Sequence, residues 1–246
     1  MLDSSSPKRG TPKLQANGYE YGFIVLSAIF IAALVATNLI FQKYFAYPLV
    51  GEFTISQSVG LLAYPVTFLV TDVLSEIYGQ RRTNMVVSAG FFASIFVVLL
   101  VEVADAAPSA DFGIGSETFH HVFGISKVAI FASMAAYLTA QFIDVRIFHW
   151  MRRKTKGKHL WLRNNFSTFT SQFVDTVVVL CLLAGFGGAE IGITWEIVPD
   201  LIFNGILFKW IFAAFDTPLF YLAVHLLRRR FPVETAQLDD EELHGE

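Results

Sequence analysis

Six stretches of this chain are apolar for about 20 residues or more, the helix length needed to cross a hydrocarbon core about 30 Å thick. They fall near 19–43, 57–77, 84–104, 127–150, 168–188 and 198–227, and the last is long enough to tilt or to project beyond a bilayer. Composition points the same way: 54% of the 246 residues are hydrophobic and 16% are charged, where a soluble domain has about a quarter charged. The fold class expected is all-α, a polytopic membrane protein with six transmembrane helices.

Basic residues near the ends of membrane spans stay on the cytoplasmic side, so their placement tests this layout independently. Lys8, Arg9 and Lys13 precede the first stretch, and Arg81 and Arg82 lie between the second and third. Arg152, Arg153, Lys154, Lys156, Lys158 and Arg163 lie between the fourth and fifth, and Arg228, Arg229 and Arg230 follow the sixth. The opposite connections hold Lys43 and Lys127, and the loop from Asp105 to Ser126 is acidic with paired His120 and His121. Both termini are therefore expected in the cytoplasm. The division is a polar tail (1–18) with no removable signal peptide, a six-helix domain (19–230), and an acidic tail (231–246) expected to be disordered. The segment SETFHHVF reads as a short helix on the outer surface, its two histidines as solvated groups.

Several classes are disfavoured. The net charge of −3 and the scattered basic residues leave no patch for direct nucleic-acid binding. Cys181 is the single cysteine, so there is no disulfide framework, and no metal-ligand spacing is present. No cofactor is called for.

The informative residues are the polar ones that the spans must hide from lipid: Asn38, Gln42, Asp72, Glu76, Gln141, Asp144, Arg146, Gln172, Asp175, Asn204, Lys209 and Asp216. Ionisable groups at that depth face an interior or a cavity. The four aspartates, each on a different helix, fall at comparable depth in the cytoplasmic half, and Asn38, Gln42 and Asn204 fall in the outer half. Helical spacing puts Gln141 with Asp144, Gln172 with Asp175, Asp72 with Glu76, and Lys209 with Asp216. Tyr64, Thr67, Thr71 and Ser75 extend a polar stripe beside Asp72, and Pro65 removes one backbone bond there. Arg146 points to another side of its helix, to pair elsewhere or to snorkel. Each residue also has a bland reading, as hydrogen-bond glue between helices. Four carboxylates at one level nevertheless exceed what Arg146 and Lys209 neutralise, which suits a protonated group or a ligand. Ala28, Ala32 and Ala36 recur every fourth residue and fit either internal packing or the docking of a partner helix.

The stretch LLAYPVTFLVTDVLSEIYG (Leu61–Gly79) resembles the queuosine precursor transporter family, also known as the vitamin uptake transporter family. Supporting matches are ATNLI in the first span, VFGISKVAIFASMAAYLTAQFIDVRIFHWMR across the fourth, LRNNFSTFTSQFVDTVV entering the fifth, and NGILFKWIFAAFDTPLFY in the sixth. The loop VGEFTISQS and the basic QRRTNM look less typical. The resemblance implies a six-helix inner-membrane protein importing 7-deazaguanine bases such as preQ0, preQ1 or queuine for the tRNA nucleoside queuosine. It carries substrate contacts onto Asp72, Glu76, Gln141, Asp144, Arg163, Asn165, Ser167, Gln172, Asp175, Asn204, Lys209 and Asp216. Tyr64, Phe68 and Trp210 are stacking candidates. Asn38 and Gln42 are candidates from their shared face. A carboxylate can accept two adjacent N–H groups of a guanine-like edge, and an amide or lysine can serve its carbonyl. Arg163 reads equally as a positive-inside anchor, and Ser167 or Thr168 as a helix cap. Partners expected are the nucleobase and the bilayer, with a homodimer and proton coupling left open. A substrate-binding subunit of an ATP-driven vitamin transporter is the competing transport reading. An intramembrane aspartyl protease is disfavoured because no Gly-x-Gly-Asp string is present, and a channel because no repeated charge ring is seen.

Overall fold

A computed structural model describes residues 12–40, 43–50, 53–123, 127–186 and 193–232. Its elements are α1 (Pro12–Ile40), β1 (Tyr44–Val50), β2 (Phe53–Ser58), a 3-10 turn (Val59–Leu62), α2 (Tyr64–Ala106), α3 (Ser116–Phe123), α4 (Lys127–Lys154), α5 (Leu160–Phe186) and α6 (Val198–Arg230). Four helices are long and apolar enough to cross a membrane: α1 from Gly18, α2, α5 and α6. Helix α4 has the length but a more polar composition, since Gln141, Asp144, Arg146, His149 and three terminal basic residues interrupt it.

The second and third expected spans are one 43-residue helical run, with Gly79 as its break. Gly79 has φ 82° and ψ 169°, a region that only glycine enters without a large penalty. Bonds to α1 locate the two limbs. The Val59 N–H donates to the Lys43 carbonyl just past the C-terminal end of α1 (2.7 Å). Farther along, the Tyr19 hydroxyl donates to the Ile77 carbonyl near the N-terminal end of α1 (2.6 Å). Asn38 then meets Ser94 back toward the C-terminal end (3.5 Å). Residues 64–78 thus run down α1 and residues 80–106 run back up. A hairpin of two helices, as the sequence suggests, is joined through one residue. The second limb lies close against α1 at Gly90, where a Cβ would stand 2.8 Å from Phe30.

Two departures from the sequence reading concern local structure. The all-α expectation holds for the apolar segments, but β1 and β2 pair as antiparallel strands, Tyr44 with Ser58 and Tyr47 with Ile55. The second span therefore begins at Tyr64, not near 57. The hairpin signal was present in YFAYPLV and FTISQS, two runs rich in β-branched and aromatic residues, separated by Gly51 and Glu52. Helix α5 starts at Leu160, eight residues before the expected 168. Ser167 and Thr168 are consequently interior helix residues and not caps, and the Ser167 hydroxyl donates back to the Asn164 carbonyl (3.1 Å). The early start is tolerated because Arg163 and Asn164 are buried in protein, so their polar groups do not meet lipid. Helix α3 forms where SETFHHVF was read as a short exposed helix, and none of its residues is buried.

The molecule is apolar outside. Phe92, Phe96, Leu99 and Val103 form one exposed face of α2, and Phe203, Leu207, Ile211, Phe215, Leu222 and Leu226 are exposed on α6. Its interior is markedly polar: Asp72, Glu76, Gln141, Asp144, Arg152, Arg163 and Gln172 are all at or below 3% exposure. An apolar exterior around charged and amide groups suits a chain whose solvent is lipid.

Candidate functional site

The buried polar groups converge where α2, α4, α5 and α6 meet, and they form three levels. At the level of Tyr64, Lys209 on α6 donates to Asp175 Oδ2 on α5 (2.6 Å) and to the Thr176 hydroxyl (3.0 Å). The Lys209 ammonium lies 4.8 Å from the centroid of the Tyr64 ring, a cation–π arrangement. This level ties three helices together.

Twelve residues along α2, about 18 Å at 1.5 Å per residue, Glu76 accepts from two arginines. Arg163 on α5 pairs with its Oε2, and Arg228 on α6 donates to Oε1 (2.7 Å). Glu76 and Arg163 are 2% and 1% exposed, whereas Arg228 is 37% exposed. Arg163 also donates to the Gly157 carbonyl (3.1 Å) and lies 5.3 Å from the Phe148 ring centroid. This is the level of the basic chain ends.

Between the two ion-paired levels lies a group with acidic and amide character. The Thr168 hydroxyl donates to Asp72 Oδ2 (3.2 Å), and the Ser171 hydroxyl donates to Asp144 Oδ1 (2.8 Å). Thr168 and Ser171 are three residues apart on one face of α5, and Ser171 also bonds the Thr168 carbonyl (3.0 Å), so one turn of α5 holds both carboxyls. Asp72 Oδ1, Asp144 Oδ2, both amide atoms of Gln141, Gln172 Oε1 and the Tyr137 hydroxyl are buried with no hydrogen-bond partner among the described residues. Phe68, 2% exposed, flanks this group on α2 and packs 5.3 Å from the Tyr64 ring. A concentration of unsatisfied polar atoms at one place is costly and calls for a polar ligand, water or a proton.

The helices thus bring together Tyr64, Phe68, Asp72, Glu76, Gln141, Asp144, Arg163, Ser167, Gln172, Asp175 and Lys209. Asp216, half-buried, is near enough to act electrostatically on Asp72. Other candidates stand apart. Asn38 donates to Ser94 between α1 and α2. Asn165 bonds the Trp161 carbonyl and the Thr217 hydroxyl. Asn204 is exposed, and Trp210 stacks on Phe169 and donates to its carbonyl on a face that is partly exposed. Gln42 lies outside the described residues. Arg146 is exposed and away from the buried carboxylates. Tyr137, Ser171 and Arg228 were missed. Tyr137 stands four residues before Gln141 and seven before Asp144, so helical spacing alone would have found it. Arg228 was read only as a cytoplasmic anchor. Where α3 meets the end of α2, the His120 Nδ1 lies 2.5 Å from Asp105, and that carboxylate raises the imidazole above its ordinary pKa.

An apolar shell around a buried polar centre on four convergent helices fits a multi-pass membrane protein. A model of the family described as "Putative vitamin uptake transporter" matches residues 58–223, and the chain belongs to that family. Two proteins named "Probable queuosine precursor transporter" are similar to it. The one from Bacillus subtilis is 28% identical over 127 residues, covering 51% of this chain and 56% of that protein. The one from Haemophilus influenzae is 28% identical over 162 residues, covering 63% of this chain and 66% of that protein. The chain thus spans somewhat under two thirds of the length of the relatives it matches. No solved structure matches it.

Proposed function

We propose that the chain imports queuosine precursors, 7-deazaguanine bases of the preQ0, preQ1 or queuine type, across the inner membrane. In this reading α1, the two limbs of α2, α4, α5 and α6 cross the bilayer six times, and the basic chain ends place both termini in the cytoplasm. The observation that carries it is Gln141: it is 0% exposed, neither of its amide atoms is bonded, and it lies between two ion-paired levels. A sealed amide with nothing bonded to it is expensive unless a ligand completes it.

A 7-deazaguanine base supplies the missing partners. Its N1–H and exocyclic amine are adjacent donors for a carboxyl of the Asp72 and Asp144 group, and its carbonyl accepts from the Gln141 amide. Gln172 and Tyr137 serve the remaining edge, with Phe68 and Tyr64 as the flanking aromatic surface. The Asp175–Lys209 pair closes the seat on the outer side, and the Glu76–Arg163–Arg228 cluster closes it on the cytoplasmic side. Alternate opening of these two levels gives passage, and coupling to proton entry gives accumulation.

The deciding measurement is the queuosine content of tRNA in cells unable to make the precursor, with and without this protein, fed each base separately. At least one base restores queuosine only when the protein is present. If no base does so despite membrane insertion, the substrate assignment is wrong.

A further inference from the structure

The buried carboxylates of the site are not alike. Glu76 is held by Arg163 and Arg228, and Asp175 by Lys209, so each has a fixed cation. Among the described residues Asp72 and Asp144 have none. They are 3% and 0% exposed, and each receives one hydroxyl from α5, through Thr168 and Ser171. What remains is one unbonded oxygen on each, Asp72 Oδ1 on α2 and Asp144 Oδ2 on α4, in carboxyl groups that one turn of α5 holds side by side through Thr168 and Ser171. Ionised carboxylates only accept, so two of them cannot bond across this gap without a proton.

The geometry points to a seat for one exchangeable proton between Asp72 Oδ1 and Asp144 Oδ2, whose occupancy lets α2 and α4 close around the transported base. The surroundings hold charge that cannot discharge this role. On α2, Glu76 is committed to its arginines. On α5, Arg163 is committed to Glu76 and Asp175 to Lys209. On α4, Tyr137 lies toward the outer level, and His149 and Arg152 lie one to two turns toward the basic end. On α6, Asp216 adds further negative charge. No cation among these groups is bonded to the pair.

The inference rests on the import reading and assigns its coupling. One proton enters with one neutral base from the outer side, so one positive charge moves per base. With the proton in place the pair carries a single negative charge and the two helices close. When the proton leaves to the cytoplasm, two adjacent anions repel and the contact parts, releasing the base. Coupling thus needs no further ion, and it needs both carboxyls, since either alone has no partner to push against.

Infrared difference spectroscopy on the purified full chain in liposomes, without any base, tests the seat directly. The wild type gives the carbonyl stretch of a protonated carboxylic acid, which bleaches on raising pH. Both Asp72→Asn and Asp144→Asn lose that band, while Asp216→Asn keeps it. The Asn variants are nearly isosteric, their amide N–H can donate where the proton stood, and helical circular dichroism checks that each is folded. A band that survives in both variants, or vanishes in only one, overturns the shared proton. In the same liposomes an inside-alkaline gradient stimulates uptake of the neutral nitrile-bearing base by the wild type, and this stimulation is abolished in Asp72→Asn. Equal stimulation in that variant overturns the coupling role. A wild type that shows the shared band but takes up no base counts against the import reading, not against the proton seat.

Discussion

Replacing Glu76 by Gln removes one negative charge from between two arginines, and the consequence differs sharply for the two. Arg228 is 37% exposed and can turn its guanidinium toward water. Arg163 is 1% exposed, with a single remaining bond to the Gly157 carbonyl, and cannot. The variant therefore leaves one buried guanidinium uncompensated. Breaking a buried pair by removing one partner costs about 3–5 kcal/mol, mostly as desolvation of the charge left behind. For a chain of 150–250 residues each kcal/mol moves the midpoint by about 2–4 °C, so Glu76→Gln is expected to melt about 6–20 °C lower.

Thermal unfolding in detergent, followed by helical circular dichroism, reads this shift. The companion variant Glu76→Gln/Arg163→Met removes both charges, and it is expected to regain most of the loss, because an apolar replacement of a whole buried pair is often neutral. The two measurements separate a buried ion pair from ordinary packing. A single variant within about 0.5 kcal/mol of wild type, the range of an unremarkable surface change, would refute the pairing. So would a double variant that is less stable than the single one.

Four other outcomes follow from the same geometry. Gly79→Ala, forced into a backbone region that disfavours a Cβ, is expected to cost about 1–3 kcal/mol, read as a lower unfolding midpoint with unchanged helix content after refolding. Gln141→Leu removes two unbonded buried atoms, so its midpoint is expected to equal or exceed that of wild type while base uptake is lost; a lower midpoint with uptake retained would make Gln141 a structural bond. Asp175→Asn is expected to abolish uptake with insertion and folding intact, and unchanged uptake would return Asp175 to a helix-holding role. His120 has its pKa raised by Asp105, so its bond to Asp105 is fully present below the ordinary imidazole value of about 6.5 and is lost as pH rises through the elevated value. Hydrogen exchange across Ser116–Phe123 should accelerate over that upper window, and His120→Ala should remove the pH dependence.

The apolar helices are readable from the chain because stretches of bilayer-crossing length stand out from polar connections. The breaks between spans were harder. Arg81 and Arg82 mark a break between apolar stretches, but that the turn is made by Gly79 alone depends on a backbone angle that hydropathy does not record. The start of α5 was placed late for a related reason: Arg163 and Asn164 look like loop residues until Glu76 of another helix is available to bury them. Which carboxylate takes which cation was equally hidden. Lys209 shares a helical face with Asp216, yet its ammonium bonds Asp175 on a neighbouring helix. Spacing gives the face of one helix, whereas partners depend on the rotation and register of two.

Lipid removes the hydrophobic drive that would hold soluble helices together, so polar bonds between helices here serve both cohesion and function. What separates the two roles is whether the charge is neutralised by a fixed partner. Lys209 with Asp175, and Glu76 with its arginines, have their charges matched in the closed form; they hold helices and can act as gates by exchanging one set of partners for another. Gln141, Gln172, Asp72 and Asp144 are equally buried yet retain unbonded atoms, and in a medium without water nothing else satisfies them. A sequence lists both sets as buried polar residues of the same kind. Only the pairing distinguishes the struts from the seat, which is why the four aspartates, alike in the sequence, divide into a neutralised anion on α5, a proton-sharing pair on α2 and α4, and a half-buried neighbour on α6.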